Sequence, residues 1–164
     1  MFRILVVAGL LMAGGVVAVR YVDQTGRAAP AAKPAEAQQP SNSRTMVIRA
    51  GQGGAFAVEA RVEGRRMAFM VDTGASAIAL RESDAARLGI HPKPRDYSIR
   101  MSTANGEGRA ARVDLNMVEV GDIIVRDVPA LVVPDEALSV NLLGMTFLSR
   151  VRWAHEKGKL VLEQ

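Results

Sequence analysis

Hydrophobic and polar positions along most of this chain follow a two-residue rhythm, broken by glycines. Phe56, Val58, Ala60 and Val62 alternate with Ala57, Glu59 and Arg61, which predicts a strand with one face buried. Glu63-Gly64-Arg65 turns the chain, and the apolar run Met67 to Val71 returns it as a second strand. That run ends in Asp72-Thr73-Gly74-Ala75-Ser76, a tight loop of small residues, before Ile78-Ala79-Leu80 resumes the apolar pattern. Arg81 to Gly89 predicts a short helix with acids near its start and a closing glycine. Tyr97 to Val113 alternates around Thr103-Ala104-Asn105-Gly106-Glu107-Gly108, where Asn-Gly is a hairpin signal.

Leu115 to Val120 and Ile123 to Val133 read as further strands about Gly121-Asp122, followed by a surface loop over Asp135 to Ser139. Asn141-Leu142-Leu143-Gly144 leads into a short helical turn over Met145 to Arg150. Val151 to Ala154 and Lys159 to Leu162 form a closing hairpin through Glu156-Lys157-Gly158. At the other end, Met46-Val47-Ile48 leads into Gly51-Gln52-Gly53-Gly54, which reads as a hairpin connection. Residues 45–164 are therefore expected to form one mostly-β domain with one or two short helices and no internal repeat.

Upstream the pattern changes twice. Arg3 is followed by an uncharged run from Ile4 to Val19, then Arg20-Tyr21. Roughly sixteen residues at 1.5 Å rise cover about 24 Å, a little short of the ~30 Å hydrocarbon core, and flanking arginines can snorkel. Ala18-Val19-Arg20 is a poor small-x-small cleavage site, so residues 1–22 read as an uncleaved membrane anchor more than as a cleaved signal. The Lys/Arg balance on its two sides leaves orientation open. Residues 23–44 place Pro30, Pro34 and Pro40 among Ala, Gln, Ser and Asn, the composition of a stiffened, disordered linker.

Composition narrows the chemistry. Of 164 residues 49% are hydrophobic, enough for an ordinary core. There is no cysteine, which excludes disulfides, thiolate metal sites and a thiol nucleophile. The two histidines, His91 and His155, lack ligand spacing, so no metal and no cofactor are expected. The formal charge of +4 is spread over scattered arginines without a dense cluster, so nucleic acid is not an expected partner. No Gly-x-Ser-x-Gly elbow and no phosphate-binding Gly-x-x-x-x-Gly-Lys-Ser/Thr loop occurs.

The remaining candidate is Asp72. An acid at the end of an apolar strand is costly unless it is hydrogen-bonded, paired or used. Gly74 lets the backbone approach closely, so its N–H can donate to the carboxylate, and Thr73 adds a hydroxyl that can bond a neighbouring loop. Three such residues alone also describe a hairpin whose Asp merely bonds its own turn.

Three features in order carry a resemblance: an apolar strand into Asp72-Thr73-Gly74-Ala75-Ser76, a small-residue hairpin at Thr103 to Gly108, and Leu142-Leu143-Gly144 before a short helix. Together they resemble the retropepsin-like aspartic proteases, in particular bacterial single-lobe members with an N-terminal membrane segment. The resemblance implies a single-lobe β-barrel over residues 45–164. It makes Asp72 the catalytic carboxylate, Thr73 the hydroxyl that braces paired loops, and Gly74 the turn whose N–H bonds the acid. It places Thr103, Ala104, Asn105 and Gly106 in a flap over substrate, with Ala75 and Ser76 beside it. Leu142, Leu143 and Gly144 would thread next to the catalytic loop. Apolar side chains near Ile78, Ile99 and Leu143 would form pockets.

Aspartic proteolysis uses two carboxylates sharing a proton, and the chain holds a single Asp-Thr-Gly. Asp96, Asp114, Asp122, Asp127 and Asp135 lack that turn, so the second acid must come from another copy in a symmetric homodimer. The resemblance thus implies a membrane-anchored endopeptidase acting on protein or peptide substrates at a bacterial inner membrane, its domain facing the periplasm. The alternatives are a non-catalytic module of the same fold for peptide binding or dimerisation, and an anchored β domain that binds peptide at a sheet edge.

Overall fold

The computed structural model describes residues 43–103 and 106–164. The expected anchor, most of the expected linker, and Ala104 and Asn105 at the hairpin tip lie outside the described residues. No helix among the described residues is long and apolar enough to cross a membrane.

Strands β2 (Ala57–Val62) and β3 (Arg65–Val71) form the predicted antiparallel hairpin, Val62 facing Arg65. On β2 the side chains alternate between exposed and buried, as the sequence pattern requires. β4 (Ile78–Arg81) runs into helix α1 (Glu82–Arg87). β5 (Ile99–Thr103) and the first part of β6 (Gly106–Val120) make the long hairpin, and β6 pairs from Ala111 onward with β7 (Ile123–Val133). β8 (Asn141–Leu143) precedes helix α2 (Met145–Leu148). The strand order is β2-β3-β8-β4-β7-β6-β5, and an added β2–β6 pairing closes the sheet on itself. A closed sheet has no free edges between those strands, which is the barrel that the resemblance implies.

A second sheet of three strands, β1 (Thr45–Arg49), β10 (Lys159–Glu163) and β9 (Arg152–Glu156), lies in that order. Its inner face sends Ile48, Leu160 and Leu162 into the main core. Here one expectation is corrected. Gly51 to Gly54 do not close a hairpin, because β1 pairs with β10 at the opposite end of the chain and not with β2. Gln52–Gly54 instead form a 3-10 turn between the two sheets. A second correction is continuity: Leu115 to Val120 are part of one 15-residue strand that begins at Gly106.

The main core is built from the inward positions of both sheets, with Phe69, Ile78, Leu80, Leu115, Leu143 and Phe147 almost wholly buried. Burying each such side chain contributes about 1.5–3 kcal/mol. A smaller cluster of Ala79, Ala110, Val133 and Leu138 takes in Met101 from β5 and Leu142 from β8. It ties the base of the long hairpin to the strand beside Asp72. Asp135 to Ser139 is more anchored than a surface loop, since Leu138 is buried in that cluster.

Candidate active site

β3 delivers Asp72 at its carboxyl end, and the short strand β8 lies parallel to β3, with Val71 opposite Leu143. Because β8 is inserted between β3 and β4, the Leu143 carbonyl meets the chain just as it leaves the sheet. The Asp72 N–H donates to that carbonyl at 3.2 Å. The Gly74 N–H donates to Asp72 Oδ1 at 2.8 Å, as the sequence anticipated. This bond fixes one carboxylate oxygen and leaves Oδ2 without a partner among the described residues.

The rest of the loop is held from the α2 side. The Met145 N–H donates to the Ala75 carbonyl at 2.9 Å, and the Ile78 N–H donates to Thr146 Oγ1 at 2.9 Å. Gly144 is the contact point between the two segments. A Cβ there would meet the Ala77 carbonyl oxygen, the Ala77 carbonyl carbon at 2.6 Å and the Ala75 oxygen at 2.8 Å. Only glycine lets the backbones pass this closely.

Asp72 is half-buried while Thr73, Gly74 and Ser76 are exposed. The Thr73 hydroxyl has no partner among the described residues. The loop therefore presents a carboxylate, a hydroxyl and a backbone turn at an open surface of the chain.

Beside it stands Asn141, whose side chain is buried and fully used. Its Oδ1 accepts from the Arg81 N–H at 2.8 Å. Its Nδ2 donates to the Ala68 carbonyl at 3.1 Å and to Asp84 Oδ2 at 2.9 Å. Asn141 thus stitches β8 to β3, β4 and α1 at once. Nearby, Asp135 accepts from the Ser83 N–H at 3.1 Å and from Arg81 Nη2 at 2.8 Å. The Ser83 hydrogen bonds, with the Arg81 charge beside them, hold the Asp135 carboxyl below its ordinary range. Across the helix, Tyr97 Oη donates to Glu82 at 2.8 Å. Burial, then the bond to Glu82 and its charge, push the phenol up to about 12.

The long hairpin supplies the remaining candidates. The Thr103 backbone pairs with Gly106 next to the tip, and Gly106 has φ +114°. A groove of about 500 Å³ crosses the hairpin, lined by Arg100, Met101, Ser102, Glu107, Gly108 and Arg109.

The pocket expectation needs correcting. Ile78 and Leu143 are completely buried in the main core and cannot line a pocket. Strand alternation turns their neighbours outward instead: Leu142 is half-buried, and Met70, two residues before Asp72 on the same face, is 36% exposed. Asn141 and Thr146, which brace the site, were not singled out from sequence. Among the described residues no group of three His, Asp or Glu side chains is placed to hold a metal ion.

Comparison with known proteins adds the following. A family model described as "gag-polyprotein putative aspartyl protease" matches residues 58–150. A Sinorhizobium sp protein described as "Uncharacterized protein in cobV 5'region" is 38% identical over 104 residues, 63% of this chain and 45% of that protein. "Uncharacterized protein RP867" of Rickettsia prowazekii (strain Madrid E) is 37% identical over 118 residues, 71% of this chain and 50% of that protein. The chain spans about half the length of these curated relatives. A crystal structure of a retropepsin-like aspartic protease from Rickettsia conorii is similar with a TM-score of 0.66 and 36% identity, over 74% of this chain and 91% of that one.

Proposed function

Since the chain belongs to the gag-polyprotein aspartyl protease family and has the retropepsin-like fold, we propose that it is an aspartic endopeptidase hydrolysing peptide bonds in proteins. The observation that carries this reading is the Asp72 loop. One carboxylate oxygen is fixed by Gly74, and the other has no partner among the described residues, at an open face of the chain. Nothing in a bland hairpin requires the backbone of Gly144 to be pressed against that loop.

In this reading two copies pair so that Asp72 and its symmetry mate face each other. Like charges that close share one proton. The ionised member takes a proton from a water as it attacks the scissile carbonyl, and the protonated member donates to the carbonyl oxygen. Thr73 braces the facing loop, a role that suits a hydroxyl without a partner among the described residues. The hairpin around Thr103 to Gly106 covers an extended substrate, with Ala75 and Ser76 beside it. Leu142, Leu143 and Gly144 support the loop from behind.

The wider organisation is part of the same proposal: residues 1–22 as anchor, 23–44 as linker and 45–164 as the catalytic domain. The domain sits on the periplasmic side of a bacterial inner membrane. Added protease acting on intact spheroplasts removes the domain in this reading; a protected domain reverses the orientation.

The deciding experiment is cleavage of a denatured protein by the full chain from acid to neutral pH, beside Asp72→Asn and a pepstatin-type inhibitor. Cleavage by wild type that Asp72→Asn abolishes, with the fold and dimer kept, is the expected result. Cleavage retained in Asp72→Asn refutes the mechanism. A folded, dimeric, inactive wild type shifts the reading to a peptide-binding or dimerisation module.

A further inference from the structure

Strand β8 is only three residues long, and its brevity leaves a notch in the barrel wall. It lies between β3 and β4, with Asn141 opposite Phe69 and Leu142 opposite Ala79. Ahead of Asn141 no strand among the described residues fills the space between residues 66–68 of β3 and Arg81 at the end of β4. Strands that skip one neighbour stand about 10 Å apart, twice the usual spacing. The result is a cleft of about 290 Å³ on the flank of the barrel, lined in part by Ser139 and Asn141.

Three arginines line it from three elements: Arg66 on β3, Arg81 ending β4 and Arg87 ending α1. Arg66 is tied only to Glu59, at 3.4 Å, and both side chains are about two-thirds exposed. Surface pairs of that kind contribute little. Arg87 is equally exposed and pairs at 3.0 Å with Asp84, one helical turn back. The other Asp84 oxygen is taken by the Asn141 amide. Arg81 gives Nη2 to Asp135, while its Nε is buried with no partner among the described residues. A charged donor left buried and unpaired is costly until an acceptor reaches it.

We propose that this notch binds a small oxyanion of phosphate size, held by Arg66, Arg81 and Arg87. Guanidinium groups match the geometry of such anions and pair with them through charge-assisted hydrogen bonds. With walls about 10 Å apart, arginines on β3 and on the β4–α1 corner can close on one anion from opposite sides. Their present surface pairs hold Arg66 and Arg87 weakly enough for both to turn inward. Ser139 adds an exposed hydroxyl without a partner among the described residues. Against the three arginines the lining sets only Glu59 and Asp84, which leaves one positive charge in excess. A cation fits worse, because each of those acids already holds an arginine.

The inference goes beyond the peptidase reading and does not rest on it. The two sites are nevertheless joined through β8. Asn141 heads that strand beside the notch, and two residues on the Leu143 carbonyl accepts the Asp72 N–H. An occupied notch therefore steadies the strand that holds the acid.

Thermal unfolding of the full chain in detergent tests the site, with inorganic phosphate as the probe and chloride at matched ionic strength as the reference. A dissociation constant of about 1 mM corresponds to a rise of about 3–7 °C at about 10 mM phosphate. Calorimetric titration then gives the affinity of each variant. Arg66→Gln and Arg87→Gln change exposed side chains; each weakens phosphate about fivefold or more, and the double variant loses the shift. Glu59→Gln removes a competing carboxylate and tightens binding about threefold. Arg112→Gln, exposed on β6 and outside the cleft, stays within about twofold of wild type. Glycerol phosphate run in parallel identifies the source: tighter binding than inorganic phosphate assigns the notch to an esterified phosphate, weaker binding to the free anion. No phosphate-specific shift in the wild type overturns the proposal. So does an equal shift in the Arg66/Arg87 double variant, or a loss in Arg112→Gln as large as in Arg66→Gln. A chain that binds phosphate here and does not cleave leaves the notch site standing and removes the peptidase reading. Cleavage without phosphate binding removes the notch site alone.

Discussion

Gly144→Ala puts the sharpest load on the site. The added Cβ would stand 2.6 Å from the Ala77 carbonyl carbon and 2.8 Å from the Ala75 oxygen, and against the Ala77 oxygen as well. All three are backbone atoms of the loop that follows Asp72, so no side chain can swing aside. Relief requires the two segments to separate by about 1 Å, at the upper end of the ~1–3 kcal/mol typical of overpacking. The move also stretches the 2.9 Å Met145–Ala75 and 3.2 Å Asp72–Leu143 hydrogen bonds. A loss near 3 kcal/mol lowers the melting temperature by about 10–15 °C for a domain of this size. A shift of about 1 Å at the carboxylate costs on the order of a hundredfold in cleavage.

Two companion variants isolate the cause. At Gly74 a Cβ meets only the movable Asp72 Oδ1, at 3.2 Å. Gly74→Ala should therefore change stability by less than about 1 kcal/mol while displacing the carboxylate, so activity falls far more than stability. At Gly108 the nearest atom is the Ala137 Cβ at 3.8 Å, an ordinary contact, and Gly108→Ala should be within about 0.5 kcal/mol of wild type. Thermal unfolding by circular dichroism ranks the three, with cleavage measured in parallel. A Gly144→Ala protein melting within a degree or two of wild type would refute the backbone-contact argument outright.

Three other expectations follow from single residues. Asn141→Ala leaves the Arg81 N–H, the Ala68 carbonyl and Asp84 without their shared partner, and urea unfolding should show a loss of about 2–4 kcal/mol. The Asp135 carboxyl is held low, so its contribution to stability is present above the ordinary carboxylate range and fades as pH falls through the folded value. Asp135→Asn should remove that acid-side slope, and an unchanged stability–pH curve below pH 5 would contradict it. Tyr97 is raised to about 12, so its share of stability is complete below pH 10 and lost as pH climbs through the folded value. Tyr97→Phe should flatten the alkaline limb between roughly pH 10 and 12.

The parts of this fold legible in the chain are those whose cause is local. Alternation from Phe56 to Val62 and the Glu63-Gly64 turn dictate the β2–β3 hairpin, because a two-residue period sorts side chains to opposite faces wherever one face is buried. The same logic reaches Gly74, whose N–H finds Asp72 two residues away. What failed was non-local. Gly51 to Gly54 look like a hairpin, yet β1 gains more by laying Ile48 into the core beside Leu160, a partner no nearby residue announces. Leu142-Leu143-Gly144 was placed beside Asp72 through resemblance alone, since a parallel pairing across a long separation leaves no mark on either segment. Apolarity by itself misassigned Leu143 to a pocket. The register, with Asn141 and Leu143 inward, is what turns Leu142 out. Asn141 carried a usable signal all along: a polar residue heading an apolar run must be satisfied if it is buried, and here Ala68, Arg81 and Asp84 satisfy it. The residues that brace this acid are thus legible only once its neighbours across the sheet are known, whereas the acid is legible from its own strand.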